Sequence, residues 1–136
     1  MFQTHQSEKE LLVSDLELSM DYYSTIFGIK EQNLKIVDED FGFSLSLKQA
    51  EDLTKIHPKK LMSEVYGVVD TVDDLYTLYL NFRENGALFA FNPRDTYDDG
   101  TRAKEFAIRD LDGYIIAFRT KSIMKDQILF DHPLAF

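Results

Sequence analysis

The sequence predicts an α+β fold made of two similar βαβββ halves, and three observations support this prediction. A strand end that leads into a helix start occurs twice, at Val13-Ser14-Asp15 and at Val68-Val69-Asp70. A glycine follows each predicted helix, and a hairpin over Lys104–Phe118 closes the second half. Half a chain of this length makes a marginal core. We therefore expect the halves to share one core, unless a common strand–helix start recurs here by chance.

The first half begins with a strand and a helix. Polar and apolar residues alternate over Gln6–Val13, which predicts a half-buried strand. Ser14 followed by Glu17 matches a capping box, so we expect a helix from this point to Phe27. Gly28 is then expected to end the helix in the left-handed conformation.

Two further strands and a linker complete the first half. Lys30–Asp40 has strand character with a polar break, and Phe41–Lys48 alternates as a half-buried strand does. Ala50–Ile56 predicts one helical turn. His57-Pro58-Lys59-Lys60 is the predicted linker, because proline removes a hydrogen-bond donor and the two lysines favour solvent.

The second half repeats this order. Glu64–Val69 predicts a strand, and a second capping box at Thr71-Val72-Asp73-Asp74 follows it. The apolar spacing predicts a helix from Val72 to Asn85, which Gly86 is expected to close. The same strand–helix order is therefore predicted in both halves.

The second half ends with a strand, a loop and a hairpin. Ala87–Phe91 predicts a strand, and Asn92–Arg102 predicts a polar loop. Asp110-Leu111-Asp112-Gly113 supplies the hairpin turn, because glycine accepts a positive φ without strain, and Tyr114–Phe118 returns as an apolar strand. The elements together predict a single domain. Module one covers about residues 6–57, the linker 57–61, module two about 62–120 and the C-terminal tail 121–136.

Composition excludes several classes of function. The 136 residues include no cysteine, which excludes disulfides, thiolate nucleophiles and zinc–thiolate sites. A formal net charge of −9 argues against a nucleic acid as partner. It is compatible with a cationic ligand, but plain solubility is the simpler explanation. No apolar run approaches the ~18 residues that span a bilayer, and the N-terminus has no secretory signal. We expect no nucleic-acid or membrane partner and a cytoplasmic location.

Three stretches carry a family resemblance: VSDLELSMDYYSTIFG, GVVDTVDDLYTLYLNFRENGA and EFAIRDLDGYIIAF. In this order they resemble the first strand–helix unit, the second unit and the closing hairpin of the vicinal oxygen chelate superfamily. That superfamily contains glyoxalase I, extradiol dioxygenases, and fosfomycin- and bleomycin-resistance proteins. Leu111 stands where the superfamily usually has a proline. The resemblance covers about residues 6–120. It implies a glyoxalase-like domain whose curved mixed sheet surrounds a cleft, usually completed in a homodimer.

Metal-dependent members of this superfamily hold a divalent ion in the cleft on His, Glu or Gln side chains. The resemblance puts the ligand positions at Glu8, at the matching Ser63 and at Ala117, with Ser44 or Ser46 on the middle strand. Only the first of these is a good ligand, and at least three protein ligands are usual. The three histidines fall in the predicted arm, linker and tail. We therefore expect no metal or other cofactor, with a divalent metal as the alternative.

The resemblance to bleomycin-resistance proteins implies an acidic, aromatic groove that holds a ligand without transforming it. Glu8 and Glu10 share the side of the first strand opposite its helix-packing side. Aromatic rings and carboxylates suit a flat, cationic organic molecule. We identify no catalytic residue, and the predicted ligand-binding residues are Glu8, Glu10, Ser63, Phe89, Phe91, Tyr97, Arg102 and Glu105. The alternatives are that Phe89 and Phe91 belong to the core and that the two glutamates are solvated rim residues.

The sequence therefore predicts a metal-free, dimeric protein that binds a cationic or aromatic small molecule. The first alternative is a metal-dependent lyase or dioxygenase of the glyoxalase type, which requires ligands in a different strand register. The second is a structural or regulatory dimer that uses the sheet and the apolar tail for assembly.

Overall fold

In the described residues, seven strands and two helices follow one another in the predicted order. The computed structural model describes residues 7–29, 35–38, 43–60, 62–98 and 100–121. The elements are β1 Ser7–Val13, α1 Leu16–Phe27, β2 Lys35–Asp38, β3 Phe43–Gln49, a 3-10 turn Leu53–Lys55, β4 Val65–Val69, α2 Val72–Glu84, β5 Leu88–Asp98, β6 Thr101–Arg109 and β7 Ile115–Thr120. Neither described helix is long and apolar enough to cross a membrane.

Both halves pair their strands in the same way. The strand order is β1-β3-β2 in the first sheet and β4-β7-β6-β5 in the second. The strand before each helix pairs in parallel with the last strand of its half, and the other pairs are antiparallel. The predicted α+β fold with a curved mixed sheet is thereby confirmed. The second half shows all four strands of a βαβββ unit. The described part of the first half shows three, with positions 30–34 and 39–42 of its predicted strands outside the described residues, as are the arm and most of the tail.

The helix caps confirm one predicted capping residue and correct the other. Thr71 caps α2, and its hydroxyl accepts a hydrogen bond from Asp74 N at 3.1 Å. The cap of α1 is Asp15 instead of Ser14, because the Asp15 carboxylate accepts from Leu18 N at 3.1 Å. A carboxylate at this position also interacts favourably with the helix dipole.

The predicted polar loop over Asn92–Arg102 is wrong, because most of it is strand. β5 continues to Asp98 and pairs with β6 over its whole length. Pro93 lies at a shift in this pairing, between the Phe91 and Arg94 pairs, where its missing N–H removes no regular ladder bond. The polar composition that suggested a loop thus belongs to a bulged strand.

Ion pairs between β5 and β6 hold the polar end of this hairpin together. The Asp95 carboxylate lies 2.9 Å from Arg102 Nη2 and 3.1 Å from Lys104 Nζ. Burial raises the pKa of Asp95, but the hydrogen bonds from these two cations outweigh it and leave the pKa below its usual value. The carboxylate therefore stays ionised and paired at neutral pH.

The two halves share one hydrophobic core, as expected. Apolar residues from both sheets and both helices form a single buried cluster. Phe27 at the end of α1 contacts second-half aromatics, with its ring 5.0 Å from Phe82 and 6.2 Å from Phe118. Neither half therefore buries its apolar surface alone.

Two tyrosine hydroxyls of α1 donate hydrogen bonds to the closing hairpin and so connect it to the first half. Tyr22 donates to Arg109 O at 2.6 Å, and Tyr23 donates to Asp110 Oδ2 at 2.7 Å. The other oxygen of Asp110 accepts from the backbone N–H groups of Asp112 and Tyr114 at 3.0 and 2.8 Å, which confirms it as a turn former. Asp110 is only 3% exposed, and this burial raises its pKa despite the hydrogen bonds.

Candidate functional site

The second sheet has two faces of different character. On the helix-side face, Phe106 and Phe118 pack against α2, with their rings 5.9 and 5.3 Å from that of Phe82. Because side chains alternate along a strand, the residues between these positions point away from the helices. We call the surface that they form the far face.

The first row of the far face crosses all four strands. It is aromatic at both ends and small in the middle: Tyr66, Ala117, Ala107 and Phe91. Neighbouring strands lie about 4.8 Å apart, so the two aromatic residues stand on strands roughly 14 Å apart. Both alanines are fully buried, whereas Tyr66 is 42% exposed. A ligand can therefore reach the aromatic rim of this row, not its alanine floor.

The second row is charged where the first is small, and it consists of Val68, Arg119, Glu105 and Arg94. Glu105 is buried, and both of its carboxylate oxygens are paired. Oε1 lies 3.5 Å from Arg94 Nη2, and Oε2 lies 3.3 Å from Arg119 Nη2. A carboxylate in this position is costly without such partners. The two arginines therefore satisfy Glu105 from the strands on either side of it.

Each of these arginines also lies over an aromatic ring. The guanidinium carbon of Arg94 is 3.5 Å from the Phe91 ring centroid, and that of Arg119 is 5.2 Å from the Tyr66 centroid. Both distances fall within the range of a cation–π interaction. These residues form one group, which we call the ring-and-arginine cluster: Tyr66, Phe91, Arg94, Glu105 and Arg119.

Two of the predicted ligand-binding residues, Phe89 and Phe91, lie on opposite faces. Simple alternation would put them on the same face, but the pairing of β5 with β6 shifts between them. Phe89 pairs with Ile108 on the helix-side face, and its ring is 4.9 Å from that of Tyr79. Phe91 pairs with Ala107 and joins the ring-and-arginine cluster. The bulge therefore gives the two phenylalanines different surroundings.

Tyr97, Arg102 and Glu105 were also predicted at the site, and only Glu105 belongs to the cluster. Arg102 falls on the side of β6 that carries Phe106, by the alternation of that strand. Tyr97 pairs with Arg102 and is 68% exposed. The structure therefore does not bring these two residues to Glu105.

The remaining predicted residues belong to the first half or to the segment before β4. Glu8 and Glu10 pair with Ser44 and Ser46 of β3. Glu10 is exposed, and the side chain of Glu8 lies outside the described residues. Ser63 is half-buried before β4. These residues therefore do not extend the described contacts of the ring-and-arginine cluster.

The structure changes which residue of the second half corresponds to Glu8 of the first half. β1 ends at Val13 and β4 at Val69, and each following helix begins three residues later. Matching these points pairs Glu8 with Glu64, one residue beyond Ser63. The repeat therefore places a carboxylate at both positions.

These positions still do not supply a set of metal ligands. The Glu64 side chain is 2% exposed and lies 3.6 Å from Lys9 Nζ, and its other oxygen accepts from Lys59 N at 2.9 Å. Ala117 offers a buried methyl group and no donor atom. In the described part of the chain, no group of three His, Cys, Asp or Glu side chains is arranged to hold a metal. The described donors therefore do not fit a divalent ion.

Sequence reasoning missed three members of the cluster: Tyr66, Arg94 and Arg119. Arg119 was the easiest to find, because an arginine two residues after Ala117 shares its face of an otherwise apolar strand. Arg94 was hidden by the assignment of its segment to a loop. Tyr66 was hidden because a single tyrosine in a strand usually indicates packing.

Comparison with known proteins identifies the family. The sequence profile of the Glyoxalase/Bleomycin resistance protein/Dioxygenase superfamily matches residues 5–118. The chain belongs to this superfamily. The resemblance of the three sequence stretches is thereby confirmed. No curated protein matches the chain.

Several solved structures share the fold of this chain at low sequence identity. A glyoxalase/bleomycin resistance protein/dioxygenase from Alicyclobacillus acidocaldarius is 14% identical, with a TM-score of 0.64 over 91% of this chain and 95% of that one. A virulence protein from Salmonella typhimurium is 17% identical, with a TM-score of 0.57 over 88% and 98%. A protein from the mobile metagenome of V. Pseudocholerae is 20% identical, with a TM-score of 0.56 over 90% of this chain and 98% of that one. At these identities the likeness establishes the fold alone.

Proposed function

We propose that this superfamily member binds a small molecule with a flat aromatic body on its ring-and-arginine cluster, without a metal and without transforming it. The observation that carries the proposal is Ala117. It occupies the implied ligand position on the closing strand with a methyl group, between two aromatic residues of the same row. The site has the rings that recognise a ligand and lacks the donor that would hold an ion.

The exposure of the far face supports a ligand at its rim. Tyr66 and Val68, on the edge strand β4, are each 42% exposed. Aromatic surface of this kind is typical of binding sites when polar groups lie close to it. A homodimer that covers this rim is the assembly we expect, because a second copy would supply the missing wall of the cleft.

Protein-observed NMR with uniformly labelled chain, purified without a metal-affinity tag and kept in a chelator, tests this proposal. The probes are flat two-ring compounds that are anionic, neutral and cationic. We expect amide shifts at Tyr66, Val68 and Phe91 for at least one probe, and mass spectrometry should recover that probe unchanged. The proposal would be contradicted if no amide of the cluster shifted, if the shifted amides lay only on the helix-side face, or if the probe were converted.

A metal-dependent lyase or dioxygenase is the second candidate. The observation that favours it is that Glu8 and Glu64 occupy equivalent positions in the two halves. Two carboxylates at equivalent positions of the repeat are what such a site would begin with. The Lys9 and Lys59 contacts of Glu64 work against it. Elemental analysis of untagged protein separates the candidates, because stoichiometric metal that Glu64→Gln removes would favour the enzyme.

A further inference from the structure

The charge at the exposed edge of the ring-and-arginine cluster is positive, although the whole chain carries a formal net charge of −9. We infer that the ligand is a planar aromatic carboxylate, whose anionic group is held by Arg94 and Arg119 and whose flat body lies along the aromatic rim. This inference rests on the proposed function and names the ligand class for the same site.

The first argument is the balance of charge. Two guanidinium groups share a single carboxylate, that of Glu105, so the cluster itself carries one excess positive charge. Both oxygens of Glu105 already face an arginine, so the five residues of the cluster offer no open carboxylate to a cationic ligand. One monovalent anion neutralises the excess, and a cation would add to it.

The second argument is access. The side chains of Arg94 and Arg119 are 56% and 32% exposed, whereas that of Glu105 is 8% exposed. A molecule that approaches from solvent therefore meets guanidinium groups before it meets the carboxylate. The expectation of a cationic ligand rested on the carboxylates of an acidic groove, Glu8 and Glu10 with Glu105, whereas the accessible charge of this cluster is that of its arginines.

The third argument is unused hydrogen-bonding capacity. A guanidinium group has five N–H donors in a planar fork that matches a carboxylate. Among the described residues, each arginine donates to Glu105 from one terminal nitrogen, at 3.5 Å for Arg94 and 3.3 Å for Arg119. Arg119 Nε is buried and has no hydrogen-bond partner among the described residues. A buried donor without a partner is uncommon in folded proteins, and the exposed parts of the two guanidinium side chains remain within reach of an oxyanion from solvent.

The aromatic rings determine the shape of the ligand. Phe91 and Tyr66 each lie beneath one guanidinium, so the arginines are held with their planes close to ring surfaces. A flat aromatic body can stack on the exposed part of Tyr66 while its carboxylate accepts from the guanidinium donors that Glu105 does not use. A small inorganic anion would use only half of this surface.

A series of three matched probes tests the charge: 2-naphthoate, neutral 2-naphthamide and the cation 2-naphthylmethylammonium. Isothermal titration of the full chain should show that 2-naphthoate binds at least tenfold more tightly than either of the others. Arg94→Gln and Arg119→Gln should each weaken 2-naphthoate at least tenfold and leave 2-naphthamide within twofold. Arg83→Gln changes an exposed arginine of α2 and is the control that should change nothing.

Glu105→Gln gives the sharpest contrast, because it removes the only carboxylate of the cluster. The inference predicts that 2-naphthoate then binds several-fold more tightly, while a site built for cations would lose 2-naphthylmethylammonium. If this variant does not fold, the salt dependence of the wild-type chain decides instead. The affinity for 2-naphthoate should then fall at least threefold between 50 and 500 mM NaCl, and an affinity that does not fall contradicts the inference.

The outcomes separate this inference from the proposed function. If the cation shifts the Tyr66 and Val68 amides and 2-naphthoate does not, the aromatic site stands and the anionic ligand is refuted. If none of the three probes shifts any residue of the cluster, both the site and its ligand class are refuted.

Discussion

The two faces of the second sheet show how one set of strands can carry two different roles. The helix-side face is closed by ring contacts, and Phe106 and Phe118 are fully buried there. The far face carries a paired charge cluster and exposed aromatic surface on the same strands. Folding explains the first face, since apolar burial is its main driving force. The far face holds a buried carboxylate and an exposed tyrosine, which apolar burial does not explain, and this difference is why we propose the far face as the binding surface.

The largest effect is expected on the helix-side face. Phe118→Ala removes a fully buried ring that contacts Phe27, Phe82 and Phe106. Substitutions of this kind cost about 3–5 kcal/mol of unfolding free energy. Urea denaturation measures this loss, and Tyr97→Ala, which changes an exposed ring, is the control with an effect below about 0.5 kcal/mol. A loss below about 1 kcal/mol for Phe118→Ala would break the contrast between the faces.

A smaller effect is expected where α1 is fastened to the hairpin. Tyr23→Phe deletes the hydroxyl that donates to Asp110 and leaves a buried carboxylate oxygen without this donor. The expected cost is about 1–3 kcal/mol. Thermal or urea unfolding of Tyr23→Phe beside Tyr97→Phe measures it. Equal stability of the two variants would mean that the hydroxyl makes no net contribution.

The pH dependence of the unfolding free energy tests the burial of Asp110 in the same region. Burial raises the pKa of Asp110 in the folded chain, so the folded state holds this proton more tightly than the unfolded state does. The resulting stability is present below the ordinary pKa of about 3.9 and is lost as pH rises through the raised value. The stability of wild type minus that of Asp110→Asn should therefore fall as pH rises through this window. A difference that grows with pH would mean that the hydrogen bonds to Asp110 outweigh its burial.

Sequence patterns predicted the fold well because most of its elements follow local rules. The helix from Leu16 to Phe27, its closing Gly28 and the hairpin turn at Asp110 all depend on residues close to one another in the chain. The site depended on register, which local rules do not determine. One bulge in β5 puts Phe89 and Phe91 on opposite faces. In the alignment of the two halves, an error of one residue selected Ser63 as the equivalent of Glu8, where the structure gives Glu64.

Charge pairing was the second property that the sequence did not reveal. Glu105 is an ordinary acidic residue of an alternating strand until β5 and β7 bring an arginine to each of its oxygens. Those contacts join residues 11 and 14 positions apart, across two hairpins. The sign of the accessible charge at this cluster therefore follows from tertiary structure, which the composition of the chain does not determine.

Tyr66→Ala, measured for both stability and binding in the same preparation, tests the central claim most directly. If the far face serves a ligand, the unfolding free energy should stay within about 1 kcal/mol of wild type, while the affinity for 2-naphthoate falls at least tenfold. Tyr97→Ala, the matched loss of an exposed tyrosine from the neighbouring hairpin, should preserve both. A Tyr66→Ala chain that loses several kcal/mol of stability, or that binds 2-naphthoate as wild type does, would contradict the account.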